Sequence, residues 1–201
     1  MSERPGPLGG AEARPTPLAG LIAAEVIDAD LAALVWLLTE HGVPLVVASR
    51  DAEAAHRLRS SIGALMPQDR RAADLAMSGG TFVADSFEEV LRLSGGLPDG
   101  PNSGVADSAR DLGVVLVMRD GRVRVAHYVR PVERDGAGHI QRRPPAILSA
   151  AGENGPADRF YWAFTDELAT RAGMQRADFE DEHARRSARL SAQPAAAAGD
   201  H

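Results

Sequence analysis

The sequence predicts an α/β domain with a small helical appendage. Three observations predict it: helix-period and strand-like apolar segments alternate through the first half, a hairpin signal sits in the middle, and helical patterns close the chain. With 201 residues, there is enough chain for one domain with a real core or two small ones. Apolar residues make up 44% and aromatics only 4%, so that core has to be built from Leu, Val and Ala.

Residues 1–16 are rich in Pro, Gly and Glu and read as a disordered leader. A short helix is expected over Leu18–Ala24, and a stronger one over Ala29–His41. Asp28 caps the second, Leu31, Leu34, Val35 and Leu38 form its buried stripe, and Gly42 stops it. Val43–Ala48 reads as a strand, Glu53–Leu65 as a helix ended by Pro67, and Asp69–Met77 as a short helix broken by Gly79-Gly80. Thr81–Ala84 is a short strand. Ser86 with Glu89 three residues on is a capping box that opens a helix to Ser94. Residues 95–104 are loop by composition. Leu112–Met118 and Val123–Val129 flank Asp120-Gly121, the kind of pair a tight hairpin turn demands. ERDGAGHIQRRPP suggests a second, looser hairpin. AAGENGP reads as a linker, with helices expected over Ala157–Ala172 and Asp178–Ser191, and a low-complexity tail from 192. The expected organisation is therefore a leader (1–16), an α/β domain (17–149), a helical appendage (150–191) and a disordered tail (192–201).

Composition removes several chemistries. All 22 basic residues are arginine, so the chain supplies no Schiff-base lysine, no lysine base and no phosphate-loop lysine. Without cysteine there are no disulfides, thiolates or cysteine metal ligands, which fits a reducing compartment. The formal charge of -6 gives no reason to expect nucleic-acid binding. MSERPGPLGGAEARPTP has no apolar signal segment, and no run approaches the ~20 residues that span a bilayer. A cytoplasmic protein with no membrane insertion is expected.

Strand, loop and helix at VPLVVASRDAEAAHRLRSSIGAL, residues 43–65, form the frame of a phosphate-binding loop. Such a loop uses GxxxxGK[ST]: glycines let amides wrap the phosphates, lysine bridges the terminal phosphates and a hydroxyl ligates magnesium. Laid on this chain, the four working positions are Ser49, Ala54, Ala55 and His56, and all four differ from the pattern. Arg50, Arg57 or Arg59 could add charge beside a helix N-terminus, but neither the lysine clamp nor the metal is provided for. Taken as bare sequence, the stretch is a βα connection.

Its surroundings give it more. LAGLIAAEVIDADLAALVWLLTEHGVPLVVASR (18–50) is similar to the segment leading into the phosphate loop of the type II/type IV secretion and pilus-assembly motor ATPases. TFVADS (81–86) followed by FEEVLRL is similar to their T-L-H-A-N-S segment and its helix. LGVVLVMRDGRVRVAHYVRPV (112–132) resembles their strand pair joined by a D-G turn. The resemblance covers residues 18–132 and implies a reduced, RecA-like three-layer sheet of the P-loop NTPase type, with a hairpin and C-terminal helices added. The departures imply that the motor is lost. Ala55 stands at the lysine position and Val83 at the histidine position. Only some 25 residues separate the loop from Thr81, too few for the acidic magnesium-site segment, and no strand with a terminal acid is evident there. The degenerate loop positions Ser49, Arg50, Ala54, Ala55, His56 and Arg57 are the candidate ligand-contacting residues.

Elsewhere the residues offer little chemistry. His41, His56, His127, His139, His183 and His201 are dispersed, and with no cysteine they make no metal set. No serine sits in a nucleophile elbow. His127 reads as a half-buried strand residue, and His139 with Gln141, Arg142 and Arg143 as a solvated loop or a polar binding spot. The 180–189 segment carries i,i+4 acid–arginine pairs, Asp181 with Arg185 and Glu182 with Arg186, as a solvated face or a partner-docking surface would. Phe160, Tyr161, Trp162 and Phe164 spread around more of a helix than one core face needs, and suggest an interface. The sequence thus favours a non-catalytic, pseudo-ATPase-like binding or scaffold protein without cofactor or metal, working with a protein partner or as a homo-oligomer. The alternative is a secretion-type nucleotide-binding ATPase relative with an atypical loop.

Overall fold

The computed structural model describes residues 17–66, 79–94, 111–131, 133–134, 136–137, 140–141, 143–151 and 157–192. The expected leader, the helix expected over 69–77, the 95–104 loop, His139 and the tail beyond 192 lie outside the described residues. In chain order the elements are α1 (Pro17–Ala23), α2 (Ala29–Glu40), β1 (Leu45–Ala48), α3 (Ala52–Gly63), β2 (Gly79–Phe82) and α4 (Phe87–Leu93). Then come β3 (Gly113–Arg119), β4 (Arg122–Val129), β5 (Glu133–Arg134), β6 (Ile140–Gln141), β7 (Ala146–Ala151) and β8 (Ala157–Arg159). A 3-10 turn over Tyr161–Phe164, α5 (Thr165–Arg171) and α6 (Arg176–Ser191) follow.

The architecture is mixed α/β. Six strands form one sheet in the order β2-β1-β3-β4-β7-β8, and β5 and β6 pair separately. β1 runs parallel to β2 and β3, whereas β3, β4, β7 and β8 are successively antiparallel. The two halves follow from their connections: helices join the parallel strands, and a two-residue turn joins β3 to β4. That turn places both Asp120 (φ 51) and Gly121 (φ 73) in the left-handed region, as a primed hairpin turn requires. Gly113 opens β3 at φ 56, so close to Pro44 that a Cβ would overlap the Pro44 carbonyl oxygen. The Val114 amide donates to that same carbonyl at 2.8 Å, locking β3 beside the entry to β1.

Both faces of β1 are buried. Leu45 and Val47 join Val114, Leu116, Met118, Ala126 and Tyr128 in a core shared with α1, α2, α3, α5 and α6. Val46 and Ala48 face the other way with Val115 and Val117, beneath Phe87 and Val90 of α4. α2 is buried along its whole length from Leu31 to Thr39 rather than on one stripe, because α6 packs over its outer side. The side of α6 against it is a stripe of Phe179, His183, Arg186 and Leu190. Arg186 lies with its guanidinium 4.4 Å from the Trp36 ring centroid and pairs with Glu40 at 2.8 Å and Glu182 at 2.7 Å. This buried arginine turns a segment read as a solvated face into a docking helix. Arg185 pairs with Glu182, not with Asp181 as its spacing suggested.

The helix expected over Ala157–Ala172 begins only at Thr165. Ala157–Arg159 instead forms β8, paired with Ala151–Ser149 of β7, and the Phe160 amide continues the pairing to the Leu148 carbonyl at 2.8 Å. Residues expected to stand apart as an appendage therefore extend the sheet. Leu168, Phe179 and Leu190 likewise enter the first-face core. Among the described residues, no helix is long and apolar enough to cross a membrane.

Candidate functional site

The β1–α3 connection is three residues long, and its polar groups bond to one another. Asp51 is the N-cap of α3, where its carboxylate accepts from the Glu53 and Ala54 amides, both at 3.0 Å. The Ser49 hydroxyl accepts from the Asp51 amide at 3.1 Å, and the Ser49 amide donates to the Phe82 carbonyl at 3.0 Å. The amides a phosphate would seek at this helix N-terminus are thus already held by a carboxylate. Ala54 and Ala55 face inward into the first core. His56 is exposed, 3.4 Å from the Ser60 hydroxyl, and Arg57 pairs with Glu53 one turn back at 2.8 Å. The structure keeps Ser49 and Arg50 together at the strand end, and sends Ala54, Ala55, His56 and Arg57 to other faces of α3.

Arg50 reaches sideways rather than toward the helix end. Its Nε donates to Asp85 at 3.0 Å and its Nη2 to Glu89 at 3.1 Å. Hydrogen bonding to Arg50 holds the Asp85 carboxyl below the usual carboxylate range, and the same bond raises Arg50. Arg119 Nε donates to the Asp85 carbonyl at 2.8 Å, and Glu89 accepts from the Asp85 amide at 3.2 Å. Arg50, Asp85 and Arg119 border an open crevice of about 360 Å³, lined also by Ser49, Asp51 and Asp120. It lies outside the carboxyl ends of β1 and β3, where open α/β sheets commonly bind ligands. Three carboxylates against two arginines make its lining unfavourable to an anion.

Asp85 is the residue that sequence reasoning missed. It follows β2 by three positions and lines the crevice. The signal was present in Thr81-Phe82-Val83-Ala84-Asp85, an apolar run ending in an acid, but matching the segment to T-L-H-A-N-S hid it. Among the described residues, no group of three or more His, Asp or Glu side chains is placed to hold a metal ion.

His127 stacks on Phe87 with ring centroids 3.9 Å apart and planes 15° from parallel, which docks α4 on the sheet. Burial pushes its pKa below the ordinary histidine value. It lines neither this crevice nor the larger cleft near α1.

The four aromatic candidates separate in the 3-10 turn. Tyr161 points into the core, 2% exposed, while Phe160 and Trp162 are 44% and 50% exposed. Phe164 is half-buried beneath the Arg130 guanidinium, which lies 5.6 Å from its ring centroid. Trp162 is braced by Tyr161 at 4.5 Å and by the edge of His183 at 5.5 Å between ring centroids. Ile147 of β7, also exposed, belongs to the same outer part of the sheet. The adjoining edge strand β8 is three residues long and carries exposed Asp158 and Arg159, a pattern that discourages strand addition.

No protein-family model matches this chain, and no curated protein matches it significantly.

Proposed function

We propose that the chain is a non-catalytic binding protein, a degenerate relative of the secretion and pilus motor ATPases. In this reading it holds no nucleotide and acts through protein contact centred on Phe160 and Trp162. The observation that carries the reading is Asp51, whose carboxylate takes the α3 amides that would otherwise receive a phosphate. Arg50 adds to it, being committed to Asp85 and Glu89. The RecA-like ancestry rests on the order of segments from 18 to 132 and remains part of the proposal. So does a cytoplasmic setting, which suits a chain without cysteine.

A half-exposed Trp held rigidly between Tyr161 and His183 presents a large apolar area at little cost in side-chain entropy, the usual character of an interface anchor. The charged residues of β8 favour contact through side chains over strand pairing. The partner is another protein or a second copy of the chain. Equilibrium titration with Mg·ATP tests the nucleotide half directly. No binding up to millimolar concentration is expected; micromolar binding that is lost in Arg57→Ala would instead support the motor-ATPase alternative.

A further inference from the structure

A second cleft, near α1, takes no part in the proposed function. It encloses about 630 Å³ between the α1–α2 turn and the β4, β7 and β8 strands, a volume ordinary for small-molecule sites. The β3–β4 turn separates it from the crevice: Arg119, Asp120 and Gly121 border one, Arg122, Val123 and Arg124 the other. Its apolar lining comes from Ile22, Val26, Leu31 and Val123. The helix-turn wall carries the carboxylates of Glu25 and Asp28, and the strand wall carries the guanidiniums of Arg122 and Arg124.

Glu25 is the unusual residue. Its amide donates to the Ile22 carbonyl and the Val26 amide to the Leu21 carbonyl, both at 2.9 Å, which is the pattern of a Schellman helix end. The residue after the cap then takes the left-handed conformation that normally selects glycine, and Glu25 does so at φ 56. A glutamate there strains the backbone that a glycine would relax. Its carboxylate spans the cleft mouth to Arg122 at 2.8 Å, with both side chains more than half exposed. The turn is further pinned by the Val123 amide, which donates to the Val26 carbonyl at 2.7 Å.

We propose that this cleft binds a small zwitterion with an apolar body, of the size of an amino acid or dipeptide. Its ammonium takes Glu25, its carboxylate takes Arg122, and its side chains cover Val26 and Val123. Opening the Glu25–Arg122 bridge for a simple anion leaves Glu25 to water alone, and opening it for a simple cation leaves Arg122 to water alone, so neither gains a pair. A zwitterion replaces one exposed pair with two. In this proposal the carboxylate of Glu25 offsets the strain of its left-handed backbone.

The experiment is residue-resolved NMR titration of the full chain with L-leucyl-L-leucine, its N-acetyl form and its C-terminal amide. The zwitterion is expected to give saturable shifts at Val26 and Val123, with the two blocked forms at least about tenfold weaker. Arg122→Gln should weaken the zwitterion at least about tenfold, while Arg92→Gln, on the exposed face of α4, should leave it unchanged. Glu25→Gly separates binding from folding, because it should raise Tm while losing the ligand. The proposal is overturned by no saturable shift up to about 20 mM, by equal binding of the blocked dipeptides, or by a Glu25→Gly variant that keeps its affinity.

Discussion

The β1–α3 connection and the Phe160–Phe164 turn are short segments of opposite economy. In the first, polar groups satisfy one another: Asp51 caps α3, Ser49 receives the Asp51 amide, and Arg50 pairs with Asp85 and Glu89. In the second, a buried Tyr161 fixes the turn while Phe160 and Trp162 remain on the surface. The segment whose outline suggested chemistry has spent its polar groups on holding the sheet ends together. The segment without chemistry has apolar area left for a partner. A site is recognised by what its groups still have to give, not by the frame that holds them.

Three substitutions would break or sharpen this contrast. The largest effect is expected from Ala55→Lys, which restores the lysine position of a phosphate loop. Ala55 is fully buried against the first-face core, so an ammonium there loses its hydration without a partner. Denaturant unfolding should register a loss of about 3–5 kcal/mol, with no nucleotide affinity gained. A Lys variant that kept its stability and bound Mg·ATP would make the loop a working site one residue short.

Asp51→Ala comes next. It frees the Glu53 and Ala54 amides, and should cost about 1 kcal/mol as the loss of a helix cap. Chemical denaturation measures it; an unchanged midpoint would show that the cap is not what closes the connection.

The smallest effect, and of opposite sign, belongs to Tyr161→Phe. The Tyr161 hydroxyl is buried with no hydrogen-bond partner among the described residues, and burial pushes its pKa up to about 12. Removing it relieves an unsatisfied group and should leave stability unchanged or raise it by about 1 kcal/mol. Because the folded value lies above the unfolded 10.0, ionisation of Tyr161 leaves stability untouched below pH 10 and lowers it as the pH rises from 10 to about 12. Tyr161→Phe should flatten that alkaline decline in a pH series of unfolding midpoints.

Local signals were legible where a residue acts on its own backbone. Asp28 caps α2, Ser86 caps α4, and Asp120-Gly121 turns the central hairpin, as their side chains and conformational freedom dictate. What depends on a distant partner was not legible. Ala157-Asp158-Arg159 has no strand character of its own, and is a strand because β7 offers it an edge. Read at helical spacing, Phe160 and Phe164 fall on the buried face with Leu168. The structure keeps Phe164 half-buried against the core but leaves Phe160 exposed, and the 3-10 turn rotates Tyr161 inward instead. Arg186 looked like surface until Trp36 and Glu40 of α2 gave it a face and a counter-ion. At the candidate site, Ser49 and Arg50 were visible as the end of a strand. Asp85 and Glu89, which use up Arg50, lie 35 and 39 residues away in sequence, and only folding brings them there.

The central claim is that the β1–α3 connection is closed to nucleotide by its own cap. Amide NMR of the full chain, with Mg·ATP added to millimolar concentration, reads that claim at the residues concerned. The amides of Ser49 to Ala55 are expected not to move. Saturable shifts at the Asp51, Glu53 and Ala54 amides would contradict it, because they would mean that a phosphate had displaced the Asp51 carboxylate from the helix end.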